Sequence, residues 1–178
     1  MTTGTTLPRS ALPSALPLPT TAQVRQLPRY RQATIGPEYL DAMGHMNIRW
    51  YMAFYDETAW GLAEVLGMDP AYFHAHESGV FALQHHIRYL AEVMPGDAIA
   101  IHGRLLGVGP KRFHWMGFML NETHDRLAST LEALVAHADL RVRRTAPFPP
   151  SLAARLKGML AEHTALDWEA PLSGIMAP

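Results

Sequence analysis

Four residues that could perform chemistry together fall within seven positions of the sequence DAMGHMN: Asp41, Gly44, His45 and Asn47. A carboxylate can activate water as a general base or attack a carbonyl carbon directly. Glycine lets a substrate carbonyl approach the backbone, and unpaired amides at the start of a helix favour negative charge. The segment therefore has the groups needed to hydrolyse an activated carbonyl compound.

Each of these residues also has a purely structural interpretation. Asp41 could close an Asx turn or carry a favourable charge near a helix N-terminus. Gly44 could serve only to adopt a positive φ. Asn47 is a favoured N-cap, an alternative to a role in holding a water or the carbonyl. His45, expected to be neutral beside a helix N-terminus, could orient Asp41, contact the substrate or only pack.

The residues after Asn47 have the spacing of an amphipathic helix that ends at Gly67, a typical C-terminal stop. One broad apolar stripe comprises Ile48, Tyr51, Met52, Tyr55, Ala59, Leu62 and Leu66. A helix this apolar is expected to lie deep against a sheet. Tyr51, one turn into it, belongs to the stripe, although its hydroxyl could reach the Asp41 loop.

Strands are predicted before and after this helix, with tight turns such as Pro95-Gly96-Asp97 between the later ones. The last strand segment is rich in Leu and Ala, which favour helix, but its position after three strands of a meander favours strand. A loop or short helical turn is expected at 69–78. The predicted strands are 29–35, 79–94, 98–106, 111–120 and 127–142.

Alternation along the second of these strands assigns its side chains to two faces. One face would carry Phe81, Leu83, His85, Ile87 and Tyr89, and the other Val80, Ala82, Gln84, His86 and Arg88. His85 and His86 therefore point in opposite directions and cannot bind one metal ion together. Either could line a substrate pocket or an interface, or be a satisfied histidine of the sheet. The pair His74 and His76 is an isolated loop motif, so we expect no metal.

The two ends of the chain differ in composition from its centre. Residues 1–28 are rich in Pro and Thr, and we expect a disordered leader without regular helix. A processed targeting segment is the alternative, but prolines interrupt its apolar stretch. The central domain is 29–150. Residues 151–178 form a short C-terminal helix, capped by Ser151 and covering 152–163, followed by a tail.

Composition excludes several classes of function. A chain of 178 residues with 48% hydrophobic residues can build one core. A formal net charge of −1 gives no sign of nucleic-acid binding or of a basic membrane-binding surface. With 0 cysteines, disulfides, thiolate metal sites and a cysteine nucleophile are excluded. No run of about 18 apolar residues predicts a membrane span.

The stretch DAMGHMNIRWYMAFYDE resembles the signature of acyl-CoA thioesterases of the 4-hydroxybenzoyl-CoA thioesterase type. HHIRYLAEVMPGDAIAI is similar to a strand, turn and strand of that family. KRFHWMGFML and VRRTAPFPP resemble a bacterial subgroup associated with betainyl-CoA and carnitine metabolism. The resemblance covers about residues 30–150. It implies an α+β hotdog fold, in which about five antiparallel strands curve around one long helix.

The resemblance also implies an activity and residue roles. Asp41 would be the general base or nucleophile that hydrolyses an acyl-CoA thioester to a carboxylate and CoA. The amides of Gly44, His45 or Met46 would polarise the carbonyl, with no cofactor needed. Lys111 and Arg112, beside a Gly-Pro turn, could meet CoA phosphates, although most exposed basic pairs are only solvated. Tyr51, His85 and His86 remain possible substrate contacts.

Two other functions stay open. One is a hydratase or dehydratase on the same fold, which uses an Asp–His pair, although the spacing and context here differ. The other is a hotdog module that binds an acyl thioester or scaffolds an assembly without catalysis. A single curved sheet around one helix leaves its edge strands open. The resemblance to hotdog proteins, which pair sheets across a two-fold axis, therefore implies a homodimer or homotetramer with sites at the interface. We expect it to be cytoplasmic.

Overall fold

A computed structural model describes residues 17–178, which form one curved sheet with helices on both sides. The strands are β1 (Arg29–Thr34), β2 (Ser78–Tyr89), β3 (Ala98–Val108), β4 (Arg112–Asn121), β5 (Arg126–Asp139) and the short β6 (Arg144–Thr145). The helices are α1 (Thr21–Val24), α2 (Ile48–Val65), α3 (Pro70–His76) and α4 (Pro150–Thr164). A single 3-10 turn, Pro37–Tyr39, precedes the Asp41 loop.

All strand pairs are antiparallel, in the order β1-β3-β4-β5-β2, with β6 beside β5. The chief core lies between α2 and one face of this sheet. The α+β hotdog architecture that the resemblance implies is therefore confirmed, including the strand assignment of the ambiguous segment at β5. No helix within residues 17–178 is long and apolar enough to cross a membrane.

Helix α2 is the predicted central helix, and its buried side is close to the predicted stripe. The Asn47 side chain caps it by accepting a 3.1 Å hydrogen bond from the Arg49 N–H. Its buried residues are Tyr51, Phe54, Tyr55, Thr58, Leu62 and Ala63. Two predicted members of the stripe are wrong: Ile48 is 63% exposed and Ala59 is also exposed. The buried side is rotated toward Phe54 and Thr58 because the sheet covers α2 along only one arc.

Strand β2 ends at Tyr89, earlier than predicted, and its two faces are not those of simple alternation. The pairing with β5 shifts between Ala82 and Gln84, which is a β-bulge. Val80 therefore packs toward α2 with Ile87, whereas Phe81 is 45% exposed. The predicted faces of Phe81 and Val80 were wrong. Leu83 is an extra residue in β2, so the residues before it point to the opposite faces from those that simple alternation predicts.

The other face of the sheet is covered by the two ends of the described chain. Val24, Leu27 and Trp168 pack on Met116 and Phe118 of β4. For residues 17–28 the prediction of a disordered leader without helix was wrong: Thr20 forms a capping box at α1. Exposing the apolar face of β4 to water would cost free energy, which explains why residues 17–28 are ordered against it. The rest of that predicted leader, residues 1–16, lies outside the described residues.

Helix α4 lies along the second half of β3, which β1 does not pair. Beyond the end of β1, the Leu105 N–H donates to Nδ1 of His163 at 2.8 Å. Arg104 donates to the carbonyls of His163 and Trp168 at 2.8 and 2.7 Å, and its guanidinium lies 4.4 Å from the Trp168 ring centre. Pro149, without a side-chain hydrogen bond, is the N-cap of α4, so the assignment of Ser151 as the cap was wrong.

Candidate active site

The loop that carries the predicted catalytic residues is closed by its own backbone. Leu40 and Met46 form an antiparallel bridge, in which the Asp41 N–H donates to the His45 carbonyl at 3.1 Å. The Met46 N–H donates to the carbonyl of Val93 at 2.8 Å. The second of these bonds ties the loop to the turn that leads into β3. The catalytic candidates therefore stand on a backbone that is fixed at both ends.

The structure brings Asp41 and His45 together. One carboxylate oxygen of Asp41, Oδ1, accepts a 2.8 Å hydrogen bond from the Met43 N–H, which is the Asx turn. The other, Oδ2, lies 3.5 Å from Nδ1 of His45, and the two side chains are 15% and 21% exposed. Nδ1 of His45 also lies 3.4 Å from the Met46 carbonyl. The structural role of Asp41 thus uses one oxygen and leaves the second beside His45.

The backbone amides of the loop are not equally available to a substrate. Gly44 adopts a φ of +85°, and its N–H donates to the carbonyl of Asp41 at 3.1 Å. The Met46 amide is occupied by Val93. Among the residues described, the structure gives no acceptor for the His45 N–H. Of the three amides predicted to polarise a carbonyl, the His45 amide is thus the available donor, and Gly44 chiefly provides the turn.

Asn47 and Tyr51 are held by the fold. The side chain of Asn47 is engaged as the cap of α2. Tyr51 is 4% exposed, and its hydroxyl donates to the Ala91 carbonyl at 3.3 Å. Burial is the main reason why the pKa of Tyr51 is raised. These contacts support the structural interpretation of both residues. They place the Tyr51 hydroxyl on the segment between β2 and β3, whose Val93 carbonyl accepts the hydrogen bond from the Asp41 loop.

Asp97 was missed by the sequence reasoning, which predicted only a turn there. Its buried carboxylate accepts hydrogen bonds from the Met94 N–H at 2.8 Å and from the side chain of Asn121 at 2.6 Å, with His124 at 3.1 Å. Burial alone would raise the pKa of Asp97, but these hydrogen bonds outweigh it and lower that pKa. Asp97 therefore fixes the turn whose Val93 carbonyl holds the Asp41 loop.

A cavity of about 180 Å³ lies between the second half of α2 and the sheet. The lining residues include three aromatic side chains, Tyr55, Phe113 and Trp115. His85 lines this cavity, whereas His86 lies on the opposite face, with Nδ1 4.0 Å from the buried carboxylate of Glu132. The predicted opposite orientation of the two histidines is confirmed, and of the two only His85 faces a cavity.

Lys111 and Arg112 stand at the far end of the sheet from Asp41 of the same chain. β4 begins at Arg112 and ends at Asn121, which bonds Asp97 at the Asp41 end. A strand of 10 residues is roughly 30 Å long. The structure therefore does not bring this basic pair together with Asp41 of its own protomer.

The thioesterase-like superfamily model matches residues 35–156, which include the loop, α2 and all of β2 to β6. The chain belongs to the thioesterase-like superfamily. Betainyl-CoA thioesterase of Pseudomonas aeruginosa is 27% identical over 130 residues, which are 73% of this chain and 82% of that protein. An L-carnitine dehydrogenase/betainyl-CoA thioesterase of Agrobacterium fabrum is 32% identical over 84% of this chain.

This thioesterase-like chain spans only 30% of the length of the Agrobacterium protein, and 27% of a relative of the same description from Rhizobium meliloti. Among solved structures, a hypothetical protein from Staphylococcus aureus in complex with CoA superposes with a TM-score of 0.76. The two are 21% identical, and the match covers 85% of this chain and 96% of that one. This likeness supports the fold.

Proposed function

We propose that the protein is an acyl-CoA thioesterase, which hydrolyses a thioester to a carboxylate and CoA. The observation that carries this proposal is the pairing of a half-engaged Asp41 carboxylate with a His45 amide that has no acceptor in the described chain. The superfamily match and the names of the relatives support the same chemistry.

In the proposed reaction, the thioester carbonyl accepts a hydrogen bond from the His45 N–H. Oδ2 of Asp41 takes a proton from water, and the hydroxide attacks the carbonyl carbon. The negative charge that develops on the carbonyl oxygen is stabilised by the His45 N–H, which lies just before the start of α2. When the C–S bond breaks, the CoA sulfur leaves as the thiol with the proton that Asp41 held. Direct attack by Asp41 to form an anhydride remains the alternative course.

The test is hydrolysis of a panel of short acyl-CoA thioesters, followed by the release of free thiol. Asp41→Ala is expected to lower turnover at least about a hundredfold, because it removes the group that activates water. Glu38→Ala is the control, since Glu38 is an exposed carboxylate of the same loop region. Undiminished hydrolysis by Asp41→Ala would refute the mechanism. Addition of water to an enoyl-CoA without thiol release would favour the hydratase.

We further propose that the enzyme is at least a homodimer paired through β2. This strand ends the sheet order, and Phe81 and Leu83 in its middle are 45% and 44% exposed. A two-fold axis would pair β2 of one subunit with β2 of the other, so a single contact would cover the open β2 edge of both sheets. Leu83→Arg should therefore yield monomers in light scattering, whereas Leu172→Arg, at a site 41% exposed in the tail, should not. A dimeric Leu83→Arg protein would refute this interface.

The dimer would also complete the site. α2 runs antiparallel to β2, since Tyr51 packs against Tyr89 at the end of that strand. A two-fold axis through the middle of β2 would bring Asp41 of the partner subunit toward the cavity from the Ser78 end. The basic turn at Lys111 and Arg112 lies at that same end, where we propose that it contacts the CoA phosphates. The tetrameric state and the cytoplasmic location stay predictions.

A further inference from the structure

The cavity beneath α2 carries one carboxylate in an otherwise apolar and aromatic wall. Its other lining residues are apolar or aromatic side chains, which include Tyr55, His85, Phe113 and Trp115. Asp56 is therefore the acidic residue of the wall, and the wall has no lysine or arginine. Asp56 is exposed, which places its carboxylate at the mouth of the cavity.

Trp115 presents the face of its indole ring to the interior. Gly103 and Gly117 are paired across β3 and β4, and a Cβ built on either would lie 2.5 Å from the Trp115 ring. The ring thus lies flat on two glycines of the sheet, so its opposite face is turned toward α2. The π face of an aromatic ring attracts cations, and quaternary ammonium groups above all.

His85 does not supply a compensating positive charge. It lines the same cavity, and burial lowers its pKa, an effect that the nearby carboxylate of Asp56 offsets in part. At neutral pH the imidazole of His85 therefore carries no positive charge. The cavity combines a net negative charge at the mouth with apolar walls, which disfavours a second carboxylate and favours a cation with an apolar surface.

We propose that this cavity is the acyl subsite and that Asp56 selects acyl groups bearing a quaternary ammonium ion. The inference rests on the proposed thioesterase function and adds a specificity residue to it. It agrees with the betainyl-CoA thioesterases among the relatives, since the betainyl group carries a trimethylammonium ion. Asp56 lies nine residues after Asn47, or roughly 13 Å along α2, so Asp41 of the partner subunit is the one that serves the cavity.

The experiment compares two thioesters of the same shape, betainyl-CoA and 3,3-dimethylbutanoyl-CoA, in which a carbon replaces the charged nitrogen. We expect wild type to hydrolyse the cationic substrate with a kcat/KM about tenfold higher or more. Asp56→Asn should lower kcat/KM for betainyl-CoA about tenfold and leave the neutral isostere unchanged. Glu64→Gln, which removes an exposed carboxylate from the same helix outside the cavity, should change neither.

Other outcomes separate this inference from the proposed function. If wild type hydrolyses both substrates equally, or if Asp56→Asn slows both by the same factor, charge selection by Asp56 is refuted while thioester hydrolysis stands. If the folded wild type hydrolyses neither these substrates nor the wider acyl-CoA panel, both proposals are refuted. Because Asp56 is exposed and its carboxylate has no hydrogen-bond partner among the described residues, its substitution should leave the fold intact.

Discussion

Gly117 is the position at which the smallest change should have the clearest effect. It lies on β4 opposite Gly103 of β3, under the side chains that form the floor of the cavity. A Cβ at Gly117 would lie 2.5 Å from the Trp115 ring and 2.7 Å from the Tyr55 ring. Both rings are nearly fully buried, at 5% and 2% exposure, and rigid rings cannot yield as a flexible chain end can.

Gly117→Ala should therefore destabilise the protein. Overpacking of a well-packed core costs about 1–3 kcal/mol, which exceeds the gain of about 0.4–1 kcal/mol from a less flexible unfolded chain. For a chain of this size, each kcal/mol of unfolding free energy moves Tm by roughly 2–4 °C. Because Trp115 must move, hydrolysis of betainyl-CoA should also fall.

Gly158→Ala is the matched control. Gly158 lies exposed within α4, and a Cβ there would meet no atom within 4 Å. Alanine is favoured over glycine in a helix by about 1 kcal/mol, so this variant should have a higher Tm. Thermal and urea unfolding measure both changes. The reasoning is refuted if Gly117→Ala is as stable as wild type, or if the two variants shift in the same direction.

Three further outcomes follow. Asn47→Ala should cost about 1 kcal/mol of unfolding free energy by removing the cap of α2, and an unchanged value in urea unfolding would contradict this. Burial lowers the pKa of His163, so its contribution is complete above its unfolded pKa of about 6.5 and is lost as pH falls below it. His163→Gln keeps an acceptor for Leu105 but does not titrate, so it should lose less stability than wild type between pH 7 and 5; equal losses would contradict this. Random mixing of Asp41→Ala and Asp56→Asn protomers should restore about a quarter of wild-type betainyl-CoA hydrolysis. Half of the dimers would contain one protomer of each kind, and one of their two sites would hold both native carboxylates. Activity no higher than the sum of the separate variants would exclude sites shared between subunits.

Much of the local structure could be predicted from residue types and spacing. Asn47 and the apolar period after it predict α2, since capping and amphipathicity act within a few residues. The alternating segments and their turns predict the antiparallel strands. The motif from Asp41 to His45 also predicts that a carboxylate and an imidazole lie close together, and the structure has them 3.5 Å apart.

Other features were decided by contacts between distant segments. The bulge near Leu83 shows only in pairing with β5, and it is what turns Val80 toward the cavity. The order of residues 17–28 depends on an apolar face of β4 about ninety residues further along the chain. Asp97 supports the Asp41 loop only because β4 brings Asn121 to its side.

The sequence by itself thus determined the cluster of candidate residues from Asp41 to Asn47, the central helix and the strands, because each depends on neighbours within a turn or a pleat. Only the tertiary structure decided which loop amide lacks an acceptor, where Lys111 lies, and that Asp56 stands at the mouth of an aromatic cavity. Those properties depend on how the curved sheet folds over α2. The spacing of residues along the chain does not predict the distances between residues at opposite ends of the sheet.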